Sequence, residues 1–183
     1  YPWYYCDNNT INGTKFKEVP NSKGIPLVCD MSSCILSEKI DVSKYGIIFA
    51  GAQKNIGPSG LTVVIVRKDL IGLKENLPVM LDYKVQADNG SMYNTPPTFA
   101  IYAAKLMFEW LQELGGVAEI EKLNRKKAAM LYETIEASKL YRSPVDKGSR
   151  SLTNIPFVTG DAEMDKLFIK QASPHFFLLK NSI

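Results

Sequence analysis

Gly46-Ile47-Ile48-Phe49-Ala50-Gly51-Ala52-Gln53-Lys54-Asn55-Ile56-Gly57-Pro58-Ser59-Gly60 is the stretch on which the fold turns. Its first five residues form an apolar run without polar alternation, and the run stops at a polar, glycine-rich segment. A short apolar run bounded by turn residues predicts a strand buried on both faces. Leu27-Val28-Cys29 repeats the pattern and ends at Asp30. So does 61–66, set between Gly57-Pro58-Ser59-Gly60 and Arg67-Lys68-Asp69. The aromatic segment 3–6 reads as a further short strand, and 7–13 as a polar turn.

Beyond these strands lies a polar, irregular stretch, 74–97, and then helical periodicity. Pro96-Pro97-Thr98 predicts a helix start with Thr98 as N-cap. Ile101, Ala104, Phe108, Leu111 and Leu114 recur at helical spacing until Gly115-Gly116 stops them. A second helix is predicted over 117–138, with Val117, Ile120, Leu123, Met130, Leu131 and Ile135 as its apolar stripe. A β-rich segment is expected at 141–158, and a helix at 161–172 anchored by Met164, Leu167 and Phe168. The fold class is α/β; a mixed sheet is what the family resemblance described below implies. The expected division is 1–115 and 116–183, with the boundary near or inside the second helix.

Composition narrows the function. The 183 residues carry 22 Lys+Arg against 19 Asp+Glu, a net charge of +3. This is too small and dispersed for a nucleic-acid partner. The longest basic cluster, Arg125-Lys126-Lys127, has Glu119, Glu121 and Glu133 around it and reads as a solvated helix face. No apolar run is long enough to span a membrane. One histidine, His175, and three cysteines without ligand spacing give no metal site. Cys29 and Cys34 read as buried hydrophobes in a reducing, cytoplasmic setting. Three Asn-x-Ser/Thr tripeptides, at Asn8, Asn12 and Asn89, argue weakly the other way. Phe108 and Trp110 are expected to serve in packing. The opening Tyr1-Pro2-Trp3 reads as the approach to a strand, so the sequence is expected to be part of a longer chain.

Two residues carry the chemistry. Lys54 lies just beyond one strand and Asp30 closes another. Strand ends are where ligands collect in open α/β sheets. A Lys and an Asp so placed suit pyridoxal phosphate (PLP): the amine condenses with the aldehyde, and the carboxylate keeps the pyridine nitrogen protonated. Partial burial of Lys54 would lower its pKa and free the amine to attack. Gln53, Thr10, Asn94 and Thr95 are available as phosphate donors. The same residues also read as a tight turn with Lys54 solvated. A P-loop is absent, because Lys54 precedes Gly57 and Gly60.

The chain resembles the phosphoserine aminotransferases, a family of fold-type I PLP enzymes. The resemblance is carried by Asp7-Asn8-Asn9-Thr10-Ile11-Asn12-Gly13, Val28-Cys29-Asp30-Met31-Ser32-Ser33 and Ile40-Asp41-Val42-Ser43-Lys44-Tyr45-Gly46. The segment 50–60, Ser91-Met92-Tyr93-Asn94-Thr95-Pro96-Pro97 and Arg150-Ser151-Leu152-Thr153-Asn154-Ile155-Pro156-Phe157 extend it. It implies the later part of the large PLP-binding domain in 1–115, then a linking helix and the start of the small α+β domain in 116–183. It implies Lys54 as the Schiff-base lysine and Asp30 as the carboxylate facing the pyridine nitrogen. Thr10 would lie beside the phenolic oxygen, and Gln53 would bind the phosphate. Asn94 and Thr95 would reach the cofactor phosphate of the other subunit in a homodimer. The implied reaction is amino transfer between glutamate and 3-phosphohydroxypyruvate, giving phosphoserine and 2-oxoglutarate in serine biosynthesis. The implied compartment is the cytoplasm, or a plastid if a targeting segment lies upstream.

The sequence also departs from the family pattern. The family's N-terminal half, with its glycine-rich phosphate turn, stacking aromatic and substrate arginines, has no counterpart here. After Ala172 the chain runs Ser173-Pro174-His175-Phe176-Phe177-Leu178-Leu179-Lys180-Asn181-Ser182-Ile183, without the family's Gly-His-Arg string. The alternative expectation is therefore a non-catalytic remnant or isoform that at most binds a full-length subunit.

Overall fold

Six strands, five α-helices and four short 3-10 helices make up the regular structure of residues 3–172, the part that the computed structural model describes. The strands are β1 (Trp3–Cys6), β2 (Asn8–Asn9), β3 (Thr14–Lys15), β4 (Leu27–Asp30), β5 (Ile47–Gly51) and β6 (Thr62–Val66). The helices are α1 (Ala52–Asn55), α2 (Tyr83–Asp88), α3 (Thr98–Glu113), α4 (Val117–Ala137) and α5 (Ala162–Ala172). The divergent tail 173–183, with His175 and Lys180, lies outside the described residues. The chain forms two compact units. The first takes residues up to Asp7 and Glu18–Glu121; the second takes Asn8–Lys17 and the chain from Lys122 on.

The first unit is built on a sheet of order β1-β4-β5-β6. β1 and β5 run parallel to β4, with Cys6 opposite Asp30 and Cys29 opposite Ile48. β6 is antiparallel to β5, which makes the sheet mixed as expected. Leu27, Cys29, Ile48 and Ala50 alternate onto one face and are buried there with Met31, Ile35, Tyr45, Ile56 and Ala104. This alternation is the period-two signature of a strand with one covered face.

That corrects the expectation of strands buried on both faces. The other face of β4 and β5 is only half-buried. There Tyr4 stacks on Phe49 at 6.3 Å while itself exposed. β6 holds no buried residue at all. Its run of Val and Ile reflects β propensity at a sheet edge rather than deep burial.

The helices lie close to their expected bounds, but their buried stripes differ. Pro97, not Thr98, is the N-cap of α3, without a side-chain cap bond. Ala100, Ala104 and Leu111 are the buried residues of α3. Ile101, Phe108, Trp110 and Leu114 are exposed, so the packing role expected of Phe108 and Trp110 is not found. Small alanines let the helix approach closely, and this shifts the contact line off the larger side chains. Gly115 and Gly116 end α3 at φ +102° and +82°, where the Gly116 N–H donates to the Leu111 carbonyl at 2.8 Å.

On α4 the buried line is Ile120, Ala128, Tyr132 and Ile135. Leu123, Met130 and Leu131 are exposed. Arg125, Lys126 and Lys127 occupy the exposed side. In the second unit, the β-rich segment expected at 141–158 reduces to isolated bridges, Arg142 with Val158 and Arg150 with Thr14. Asp161 caps α5 by accepting the N–H groups of Glu163 and Met164. Of the three anchors expected on α5, only Phe168 packs, edge-on to Tyr141 and Phe157 at 5.8 and 5.6 Å. Met164 and Leu167 are exposed.

Cys29 and Cys34 are buried in the first unit, as expected of hydrophobes. Burial pushes the Cys29 thiol up to about 12; the nearby Asp7 charge adds to this, against an opposing hydrogen bond with Tyr5. Burial also raises the Tyr5 hydroxyl, and its hydrogen bond with Tyr45 raises it further. Both groups must stay protonated in the folded protein. Their contribution is fully present below the ordinary thiol pKa and is lost as pH rises toward the folded value. Folding stability measured by urea titration should therefore be flat from pH 7 to 8. Above about pH 9 it should fall by roughly 1.4 kcal/mol per pH unit for the thiol alone. Stability that rises across that range would contradict this burial.

Candidate active site

Asp30 and Lys54 stand at the carboxyl ends of neighbouring parallel strands. Asp30 is the last residue of β4 and pairs with Phe49 in β5. Lys54 follows within one turn, on α1 directly after β5. The β4–β5 pair brings the two ends together because their parallel register puts both C-termini on one edge.

Ser32 ties these ends. Its backbone N–H donates to Asp30 Oδ1 at 2.8 Å, and its hydroxyl accepts from the Gly51 N–H at 3.0 Å. One carboxylate oxygen is thereby fixed in direction. Oδ2 accepts no hydrogen bond among the described residues and stays open to a ligand. The Asp30 carbonyl accepts from the Asp7 N–H at 3.1 Å, and the Met31 N–H donates to the Phe49 carbonyl at 2.9 Å. The strand end is therefore held from both sides.

The α1 turn is fixed by its neighbours. The Ala52 N–H donates to the Leu61 carbonyl at 2.9 Å, and the Ile56 and Gly57 N–H groups both donate to the Ala52 carbonyl. The Asn55 side chain donates to the Ile35 carbonyl. Ala52 is buried, whereas Gln53 and Lys54 are exposed. The partial burial expected for Lys54 is thus not found: a single turn at the sheet edge leaves its side chain in solvent.

Behind Asp30 lies a buried polar group. Asp7 is 5 % exposed; the Tyr5 hydroxyl lies 3.5 Å from its Oδ1, and the Cys34 thiol donates to Oδ2 at 3.5 Å.

Thr10 belongs to the second unit, at the exposed tip of the β2–β3 hairpin. Asn94 and Thr95 lie between α2 and α3, both exposed, with Asn94 Nδ2 donating to the Thr95 carbonyl at 3.4 Å. The structure thus gathers Asp30, Gln53 and Lys54 at one sheet edge and sets the other candidates on separate segments.

The sequence offers Ser32-Ser33 either as a pair that hydrogen-bonds near Asp30 or as a simple turn; Ser32 does the first, and its bond to Gly51, which joins the two strand ends, is what the sequence does not show. The signal for the bond to Asp30 is the Asp30-Met31-Ser32 spacing, in which a carboxylate accepts from the N–H two residues on. Nor does the sequence show that Ser151 donates to Asn8. Asn8 entered as a glycosylation tripeptide, yet its side chain is 1 % exposed and internally bonded.

The α/β fold with its mixed sheet is that of the fold-type I PLP-dependent aminotransferases. Residues 3–173 match the aminotransferase class-V family, and the chain belongs to it. The chain is 66% identical over 170 residues to the phosphoserine aminotransferase of Listeria innocua, covering 93% of this chain and 47% of that protein. It resembles the solved phosphoserine aminotransferase from Bacillus circulans subsp. alkalophilus with a TM-score of 0.90 at 44% identity, over 95% of this chain and 49% of that one. A PLP-bound phosphoserine aminotransferase from Trichomonas vaginalis is similar with a TM-score of 0.86 at 41% identity, over 95% of this chain and 50% of that one. The chain spans about half the length of the curated relatives it matches.

Proposed function

We propose that this chain supplies the lysine-bearing part of a phosphoserine aminotransferase. The observation that carries the reading is the pairing of Asp30 and Lys54 at adjacent strand ends, with Asp30 Oδ2 left open. The segment 1–115 is read as the later part of the large domain, and 116–183 as the linking helix and the start of the small one. The substrates are glutamate and 3-phosphohydroxypyruvate, exchanged for 2-oxoglutarate and phosphoserine in serine biosynthesis. The reading places the enzyme in the cytoplasm; no described helix is long and apolar enough to cross a membrane.

The donor set fits PLP: an amine, a carboxylate with one oxygen open, an amide and hydroxyls. When bound, PLP supplies the aldehyde that carries the amino group and the ring that accepts electrons. The chain's own residues do the rest. Lys54 Nζ holds the cofactor and then moves the proton at the substrate α-carbon. Asp30 Oδ2 would accept a hydrogen bond from the ring N–H and so keep that nitrogen protonated, with the carboxylate held in direction by the Ser32 N–H on Oδ1. Gln53 binds the phosphate, and the Thr10 hydroxyl orients the phenolic oxygen. Asn94 and Thr95, exposed on their segment, reach the phosphate of a second copy in a homodimer.

Borohydride reduction of the purified protein with PLP, followed by peptide mass mapping, tests this. A phosphopyridoxyl adduct confined to Lys54 and lost in Lys54→Ala is the expected result. Labelling scattered over other lysines, or none at all, would overturn the reading.

A further inference from the structure

Gly51 closes β5 at φ −66° and ψ 128°, an extended conformation open to any residue. The backbone therefore does not require glycine at this position. The space beside it does. A Cβ on Gly51 would stand 2.8 Å from Gln53 Oε1, 3.0 Å from Nε2 and 3.2 Å from Cδ. The Gln53 side chain folds back along the chain, and its amide fills the place that a side chain at 51 would take.

Gly51 cannot retreat from that amide. Its N–H donates to Ser32 Oγ at 3.0 Å, and it pairs with Thr62 across β5 and β6. The next N–H, on the buried Ala52, donates to the Leu61 carbonyl at 2.9 Å. With the strand end held on both sides, any added atom must be relieved by Gln53. That side chain is exposed, and its far end can swing into water. In its folded-back position the amide makes no hydrogen bond among the described residues. Its N–H groups are therefore open to a ligand, one residue before Lys54 on α1. A side chain already confined beside the strand end loses less freedom on binding than one extended into solvent.

We propose that Gly51 is a positioning residue for Gln53. By carrying no side chain it keeps open the place from which the Gln53 amide donates to a phosphate monoester, that of the cofactor. This rests on the functional reading above, in which Gln53 binds that phosphate. Gly51 acts only through Gln53.

Absorbance titration of four proteins tests it: the parent, Gln53→Ala, Gly51→Ala and the double variant. Each is titrated with PLP and with pyridoxal, which lacks the phosphate. Gln53→Ala should weaken PLP about tenfold, as for one hydrogen bond to a charged group, and leave pyridoxal unchanged. Gly51→Ala should do the same, and the double variant should lose no more than either single one. The urea midpoint of Gly51→Ala should match the parent's, since only the end of an exposed side chain is displaced. Parent affinity for PLP in Gly51→Ala would overturn the proposal. So would an equal loss for pyridoxal, which would place the damage in the backbone, or losses that add in the double variant. If Lys54 carries PLP but Gln53→Ala binds it as tightly as the parent, the phosphate role of Gln53 fails and this proposal with it, while the pairing of Asp30 and Lys54 stands. If Lys54 of the parent carries no PLP, the functional reading itself has failed and the proposal falls with it.

Discussion

If the proposed function holds, Asp30→Ala should lower the rate of the glutamate half-reaction on the order of a thousandfold, about 4 kcal/mol of transition-state stabilisation. The fold should survive. Asp30 gives the sheet its backbone, which the substitution keeps, and loses one bond, from the Ser32 N–H to Oδ1. That bond is worth about 1 kcal/mol. The chemical loss is larger because the open Oδ2 is the only group the reading assigns to the ring nitrogen. Without a carboxylate there, the ring is a poorer acceptor of electrons from the substrate α-carbon. Asp30→Asn separates the two effects, since its amide oxygen can still accept from Ser32 while the charge is gone. Stability should return to near the parent value and the rate should not. Rapid-mixing absorbance of the single turnover, beside urea unfolding of each variant, measures both. A rate within tenfold of the parent in Asp30→Ala would remove Asp30 from the site.

The largest effect on stability is expected at Gly13→Ala. Gly13 sits at φ +63°, where a side chain costs about 1–2 kcal/mol. A Cβ there would also stand 2.1 Å from Pro156 Cδ and 2.7 Å from the Asn154 carbonyl. A proline ring and a backbone carbonyl cannot swing aside, so the hairpin must lift, adding about 1–3 kcal/mol or more. The sum, about 2–5 kcal/mol, reaches at its upper end the stability of a marginal domain. Gly24→Ala is the control. It has φ +82° and nothing within 4 Å of the added carbon, so it should show the backbone cost alone. Equal thermal shifts in the two variants would mean that Pro156 does not press on Gly13 in solution.

The strands were legible because each is an apolar run stopped by glycine, proline or aspartate, and β1, β4, β5 and β6 lie where those runs fall. Their burial was not. A continuous apolar run says that residues favour a sheet, and only the neighbours decide whether one face or two are covered. The helix stripes were legible in part: Ala104, Leu111, Ile120 and Ile135 are buried as expected, whereas Ala100 and Ala128 went unread because small side chains carry little weight in a periodicity argument. At the candidate site, Asp30 and Lys54 were legible as strand-end residues from local order alone. The buried bond from Ser151 to Asn8 was not, because it joins residues 143 apart in the chain.

That separation has a consequence for how the protein is made. The hairpin 8–17 belongs to the second unit, whose remaining residues begin at Lys122. A chain growing from its N-terminus completes the hairpin before Ser151 and Asn154 exist. At 5–20 residues per second, the wait is about 7–28 s. Through that interval the first unit can assemble its sheet around a segment that has left it at Asp7 and rejoins it at Glu18. The hairpin stays an unclosed loop whose buried partners are still unsynthesised. Assembly of the second unit is therefore a late, non-local event in the life of the nascent chain, and the rate of elongation sets its earliest moment.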